Sequence, residues 1–302
     1  MSHPINSCQL PPFLQSGDLV TVIAPSGALK ETQVAASGLA IWRSQGYRIR
    51  LGSNYRSGYG YLAGTDRERR QVLAAAWNDP ECKAIVCLRG GYGSARLLEA
   101  WDWQQENSAA KWLIGFSDIT CLLWSLARVG IASLHAPVLT TLAAEPKWSL
   151  ERLFGCLRGE TLTPLQGQGW GGGKANGILL PANLTVATHL LQTPLQPSLT
   201  GAILAFEDVT EYPYRIDRQL TQWRLMGAFK TVKGIALGRF SRCDAPKGSK
   251  SWKIEAVLRD RLGDLDIPIV SDLPFGHDGV NAALLVGRSV ELDGEAGILS
   301  WN

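Results

Sequence analysis

The run CKAIVCL at residues 82–88 is apolar at every position but one. A strand with one face in water alternates apolar and polar residues. A nearly continuous apolar strand is buried on both faces, which calls for helices above and below it. The flanking sequence supplies them. Upstream, DLVTVIAPSG (18–27) reads as strand then turn, KETQVAASGLAIWRSQG (30–46) as helix, and YRIRLG (47–52) as strand. DRERRQVLAAAWNDP (66–80) follows as a helix, with Asp66 as its cap and Pro80 as its stop. Downstream, the turn RGGYG (89–93) leads to the helix SARLLEAW (94–101), the strand KWLIGF (111–116) and the helix DITCLLWSLARVG (118–130). This order predicts a doubly wound parallel sheet whose strand ends carry the active loops.

Near residues 160–177 the text changes to ETLTPLQGQGWGGGKANG, which lacks apolar periodicity and reads as a linker. We therefore expect an N-terminal α/β domain over residues 1–165, a Gly-rich linker over 166–175 and a mixed α/β domain over 176–302. The second domain reads as the helix LTVATHLLQ (184–192), strand GAILAFED (201–208), helix YRIDRQLTQWRLMG (214–227), strand VKGIALGRF (232–240) and helix WKIEAVLRDRLGDL (252–265). Three further strands joined by turns complete it.

Composition excludes several classes. With 45% hydrophobic residues the chain can bury a full core, so disorder is not its dominant state. The balance of 30 basic against 27 acidic residues asks for no nucleic-acid partner. The 11 tryptophans could line a groove but more simply fill a core. The start MSHPINSCQLPPFLQSG has neither the basic nor the apolar segment of a secretory signal, and no run approaches the length of a membrane span. A cytoplasmic protein is expected. Six cysteines without a CxxC pair and four histidines without HExxH point to no metal site, so the thiols read as small buried side chains.

The sharpest local feature is KWLIGFSDITCLL, where a strand runs straight into a helix with Ser117 at the switch. That is nucleophile-elbow geometry, in which the serine hydroxyl stands out from the sheet edge and amides of the new helix can receive charge on a substrate oxygen. Only the first half of G-x-S-x-G is present, and Ser117 or Asp118 could simply cap the helix. At the neighbouring strand end, Gly90, Gly91 and Gly93 allow a sharp turn with outward amides that could complete an oxyanion hole. An ordinary strand-to-helix turn is the plainer alternative.

A serine nucleophile needs a base. His3 sits in an N-terminal tail, His189 lies within a helix and His135 follows a strand where it could shape a pocket. His277, in the Pro and Gly loop DLPFGHDG (272–279), is the preferred choice because such loops commonly present catalytic side chains. A base in turn needs a carboxylate to fix its tautomer. Glu207, Asp208 and Glu211 stand at one strand end, Glu207 being the first acid after the apolar run and Glu211 farther into the loop. These acids, with Arg215, Asp217 and Arg218, could also be solvated helix-capping charge.

Taken together, the segments resemble the serine-type LD-carboxypeptidase family, which includes the microcin C immunity proteins. The matching stretches are VIAPSG (22–27), DRERRQVLAAAWNDPECKAIVCLRGGYGSARLL (66–98), IGFSDIT (114–120), SLHAP (133–137), ANLT (182–185), ILAFEDVTEYPYRIDRQL (203–220) and LPFGHD (273–278). The resemblance implies a Ser-Glu-His set of Ser117 as nucleophile, His277 as general base and Glu207 as its orienting acid, with Glu211 in reserve. It implies oxyanion donors at the Gly91 and Asp118 amides, an active site between the two domains, and removal of terminal D-Ala from murein tetrapeptide during cytoplasmic recycling of cell wall. It further implies a homodimer and requires neither metal nor cofactor. Arg89 and Arg215 are candidates for meeting the carboxylates of a murein-derived peptide. Two segments depart from the family pattern: a GGNL stretch reads Pro181-Ala182-Asn183-Leu184, and HGP reads His135-Ala136-Pro137. Two other readings stand beside this one, an immunity-type hydrolase of aminoacyl-adenylate amides and a non-catalytic muropeptide-binding module.

Overall fold

The computed structural model describes residues 5–103 and 109–301, which form two compact units. His3 lies outside the described residues. The first unit comprises Cys8–Thr161 and Ala282–Gly287. Its elements are β1 (Leu19–Ile23), α1 (Thr32–Ser44), β2 (Arg48–Leu51), α2 (Asp66–Asn78), β3 (Cys82–Cys87), α3 (Ser94–Leu97), β4 (Trp112–Gly115), α4 (Thr120–Arg128), β5 (Ser133–His135) and α5 (Lys147–Arg158). The sheet order β2-β1-β3-β4-β5 is parallel throughout and reverses once, between β1 and β3. With right-handed crossovers, α1 falls on one face and α2, α3 and α4 on the other. Trp42 of α1 packs edge-on against Phe154 of α5 at 5.0 Å, so α5 shares the α1 face. The apolar strand β3 thus sits in mid-sheet with both faces covered, as its composition requires.

The second unit comprises residues 5–7, Leu162–Asn281 and 288–301. It contains β6 (Leu165–Gln166), β7 (Gln168–Gly169), β8 (Lys174–Asn183), α6 (Leu184–Leu190), β9 (Ala202–Val209), α7 (Pro213–Leu225), β10 (Gly234–Ser241), α8 (Ile254–Leu262) and β11 (Ile269–Ser271). After β12 (Leu284–Val286) it resumes with β13 (Ser289–Asp293) and β14 (Ile298–Trp301). Its eight-stranded sheet runs β6-β14-β13-β8-β9-β10-β11-β7, with a parallel centre from β8 to β11 and antiparallel flanks.

Three expectations require correction. The segment 166–175 is not a free linker but carries the end of β6, all of β7 and the start of β8. Its glycines serve close approach, because a Cβ on Gly169 would lie 2.1 Å from Gly294 O and one on Gly172 2.3 Å from Ile267 O. Residues 282–287, expected in the second domain, return to the first unit, where β12 pairs antiparallel with β5 and gives the sheet its one reversed edge. Finally, α2 is capped by Thr65, whose hydroxyl accepts from Glu68 N while Glu68 reaches back to Thr65 N. Asp66 is the first helical residue and pairs instead with Arg69 and Arg96.

The tryptophans chiefly fill the core: Trp42, Trp77, Trp112, Trp124 and Trp223 are fully buried. All six cysteines are buried, and none forms a disulfide.

Candidate active-site groups

In the first unit, three parallel strands end side by side, and their loops meet around Ser117. β4 ends at Gly115, Phe116 is extended, and Ser117 adopts φ +63 before the helix begins. A non-glycine residue in the left-handed region costs ~1–3 kcal/mol and persists only where its surroundings impose it. Here the surroundings do so. Asp118 Oδ2 accepts from Ser26 Oγ at 2.5 Å and from Ser94 N at 2.8 Å, while Ser94 Oγ donates to Asp118 O. One carboxylate therefore ties the loops after β1 and β3 to the elbow. From α2, the buried Arg69 guanidinium donates to Pro25 O and, at 2.8 Å, to Gly93 O, clamping the same two loops.

The glycine turn fits against the elbow. A Cβ added to Gly90 would lie 3.1 Å from Ser117 Cβ, 3.2 Å from its Oγ and 3.6 Å from Asp118 N. Gly91 has φ +115, and Arg89 Nη1 donates to Ala28 O at 2.8 Å across the top of the turn. Ser117 is partly exposed. A serine that is partly exposed, beside two amide-bearing turns at the carboxyl ends of β3 and β4, is in a setting for nucleophilic attack on a carbonyl.

In the second unit, His277 and Glu207 are paired. Glu207, near the end of β9, is fully buried, and its Oε2 lies 2.5 Å from His277 Nδ1. A carboxylate oxygen only accepts, so Nδ1 is the donor in this bond, an arrangement that in the neutral ring leaves Nε2 as the acceptor. The His277 loop is pinned from below. Phe275 is buried; its carbonyl accepts from Arg239 N, and Leu273 N donates to Leu237 O on β10. Gly238 permits this, since a Cβ there would come 2.4 Å from Phe275 O. Gly276, at φ +138, turns the chain and donates from its N–H to Asn281 Oδ1.

Glu211 is not the imidazole's partner. It pairs with Arg215 Nη1 at 3.3 Å, and that guanidinium lies 5.8 and 5.9 Å from the Tyr212 and Tyr214 ring centres. His189 is exposed on α6 with Nδ1 2.7 Å from Thr185 O, as its helical position suggested. His135 is buried in β5 edge-on to Phe116. Burial pushes the Cys121, Cys156 and Cys243 thiols up to about 12, which makes these three poor nucleophiles.

Sequence reasoning did not single out the groups that hold these in place: Ser26, Arg69 and Ser94 in the first unit, and Asn183 and Thr185 in the second. Asn183 was the most accessible, as an Asn between an apolar strand and a helical pattern is an N-cap signal. Its Oδ1 accepts from Val186 N, and its Nδ2 reaches both Glu207 and Asp208.

Residues 20–136 match the LD-carboxypeptidase N-terminal domain, and residues 176–292 match the LD-carboxypeptidase C-terminal domain. A Synechocystis protein provisionally named a carboxypeptidase, with no substrate in its name, is 59% identical over 300 residues, covering 99% of each chain. The murein tetrapeptide carboxypeptidase of Pseudomonas aeruginosa is 32% identical over 302 residues, covering 93% of this chain and 94% of its own. The structure of MccF in complex with glutamyl sulfamoyl guanosine covers 99% of this chain and 98% of its own with a TM-score of 0.85 at 20% identity, a likeness of fold. With both domains matched in order and relatives aligned over nearly their whole length, the chain belongs to the LD-carboxypeptidase family of peptidases.

Proposed function

We propose that the chain is a serine LD-carboxypeptidase that removes the terminal D-Ala from murein tetrapeptide in the cytoplasmic recycling of cell wall, and that it works as a homodimer. The observation carrying this reading is the buried Glu207–His277 hydrogen bond, which supports an imidazole oriented as a base in a chain that also carries a strained serine elbow. In this reading Ser117 Oγ loses its proton to His277 Nε2 and attacks the carbonyl before D-Ala. The Gly91 and Asp118 amides receive the oxyanion. The amine of D-Ala leaves with the proton from His277, and water, activated by the same imidazole, releases the tripeptide from Ser117. Arg89 and Arg215 are the cations proposed to meet the peptide's carboxylates. The mechanism requires Ser117 and His277, which belong to different units, to act on one peptide bond.

The murein assignment draws on the Pseudomonas relative's name and the membership of the family. Its test is direct. L-Ala-D-Glu-diaminopimelate-D-Ala incubated with the protein should yield tripeptide and free D-Ala by mass spectrometry, and Ser117→Ala should abolish the release. Cleavage of an aminoacyl sulfamoyl-adenylate without cleavage of tetrapeptide would favour the immunity-type hydrolase. Turnover of neither, with tetrapeptide still bound, would favour the binding module.

A further inference from the structure

Asp208 follows Glu207 on β9, is buried, and has no part in the mechanism above. Four donors converge on it. Oδ1 accepts from Val209 N at 2.7 Å and Asn183 Nδ2 at 3.1 Å; Oδ2 accepts from Thr185 N at 2.9 Å and Thr185 Oγ1 at 2.7 Å. Gln219 Nε2 donates to Thr185 Oγ1 at 2.8 Å, which directs the hydroxyl proton toward Asp208. The Asn183 amide cannot be turned over without loss, because its oxygen already accepts from Val186 N at the start of α6. Its Nδ2 therefore faces the two carboxylates, reaching Asp208 Oδ1 and, at 3.3 Å, Glu207 Oε1. Glu207 is held by this amide on one oxygen and by His277 on the other.

We propose that Asp208 is a positioning residue for the Glu207–His277 pair, anchoring Asn183 so that Glu207 keeps the oxygen that receives the His277 Nδ1–H. The proposal rests on the reading of His277 as the base. Two adjacent buried acids repel one another and lose hydration, a costly arrangement for a purely structural hydrogen-bond acceptor. Burial first, and the Glu207 charge second, raise the Asp208 carboxyl to about 6, against the lowering effect of the Thr185 and Val209 donors. Among the described residues, the titratable and charged groups around this cluster are Glu207 on the same strand, His277 bonded to it, Cys243 beyond β10, and His189, Glu211, Arg215 and Arg218, which line one cavity with Thr185 and Gln219. β8 presents the Asn183 amide. As pH falls through this range Asp208 takes up a proton, its hold on Asn183 weakens, and Glu207 loses its second tether.

The test compares wild type, Asp208→Asn and Thr185→Val by ¹⁵N NMR of the His277 ring and by the pH dependence of kcat on the tetrapeptide. Wild type should give the Nδ1–H tautomer at about pH 8, above the buried carboxyl's titration. Asp208→Asn should give a mixture of tautomers at the same pH, and kcat should fall between about 10-fold and the ~10⁴-fold seen when a base loses its own orienting acid, with KM within about twofold. Thr185→Val removes a donor to the carboxylate, so the acid limb of kcat should move to higher pH. If Asp208→Asn does not fold, Thr185→Val carries the test. An unchanged His277 tautomer together with superimposable pH profiles overturns the proposal. The NMR readout decides even if the tetrapeptide is not the substrate, so failure of the functional reading is told apart from failure of this one.

Discussion

A methyl group at Gly90 would crowd Ser117 Oγ to 3.2 Å and stand 3.6 Å from Asp118 N. No left-handed backbone is needed at Gly90, so Gly90→Ala should fold normally and act on the reaction alone. We predict that it lowers kcat/KM by ~10²-fold, comparable to losing an oxyanion donor, with Tm nearly unchanged. Steady-state kinetics beside a thermal melt check both halves. At this scale the Glu207–His277 pair was legible in the sequence, since Glu207 is the first acid after an apolar run and His277 stands in a Pro and Gly loop after a strand. Asp208 and Arg69 were harder to read. Two adjacent acids look alike in sequence, and DRERR reads as a solvated helix face. Burial of Arg69 against Pro25 O and Gly93 O depends on loops that only the folded sheet brings beside α2.

The loop bearing His277 lies on β10 through a contact that only glycine allows, Gly238 beneath Phe275 O. In Gly238→Ala a Cβ 2.4 Å from a carbonyl oxygen must push backbone aside. The substitution should destabilise by ~1–3 kcal/mol, the usual cost of overpacking, and lower kcat as His277 moves off Glu207. Denaturant unfolding and kinetics on the same variant check it; wild-type values in both would show that the loop does not depend on this contact. The strand-and-helix alternation was readable because apolar runs and helical periodicity are local. The cap of α2 was misread because Thr65 and Asp66 are both capping types, and the Thr65–Glu68 spacing, which distinguishes them, carries the reciprocal bond.

For the whole chain, the division into two α/β units was legible from the change of texture near residue 160. The Gly-rich stretch after it misled, because glycine marks close backbone approach as readily as flexibility. The return of residues 282–287 to the first sheet was not legible either: ALLVGRSVELDG reads as uniform strand, and nothing local says that β12 pairs with β5 while β13 pairs with β8. In the function proposed above, Ser117 is a nucleophile made reactive by the Glu207-oriented imidazole of His277. Labelling the intact protein with a fluorophosphonate and mapping the adduct by tandem mass spectrometry tests it most directly. One adduct is expected, on Ser117, with its formation abolished in His277→Ala and strongly slowed in Glu207→Gln. Modification of another residue, or undiminished labelling of Ser117 in His277→Ala, would contradict it.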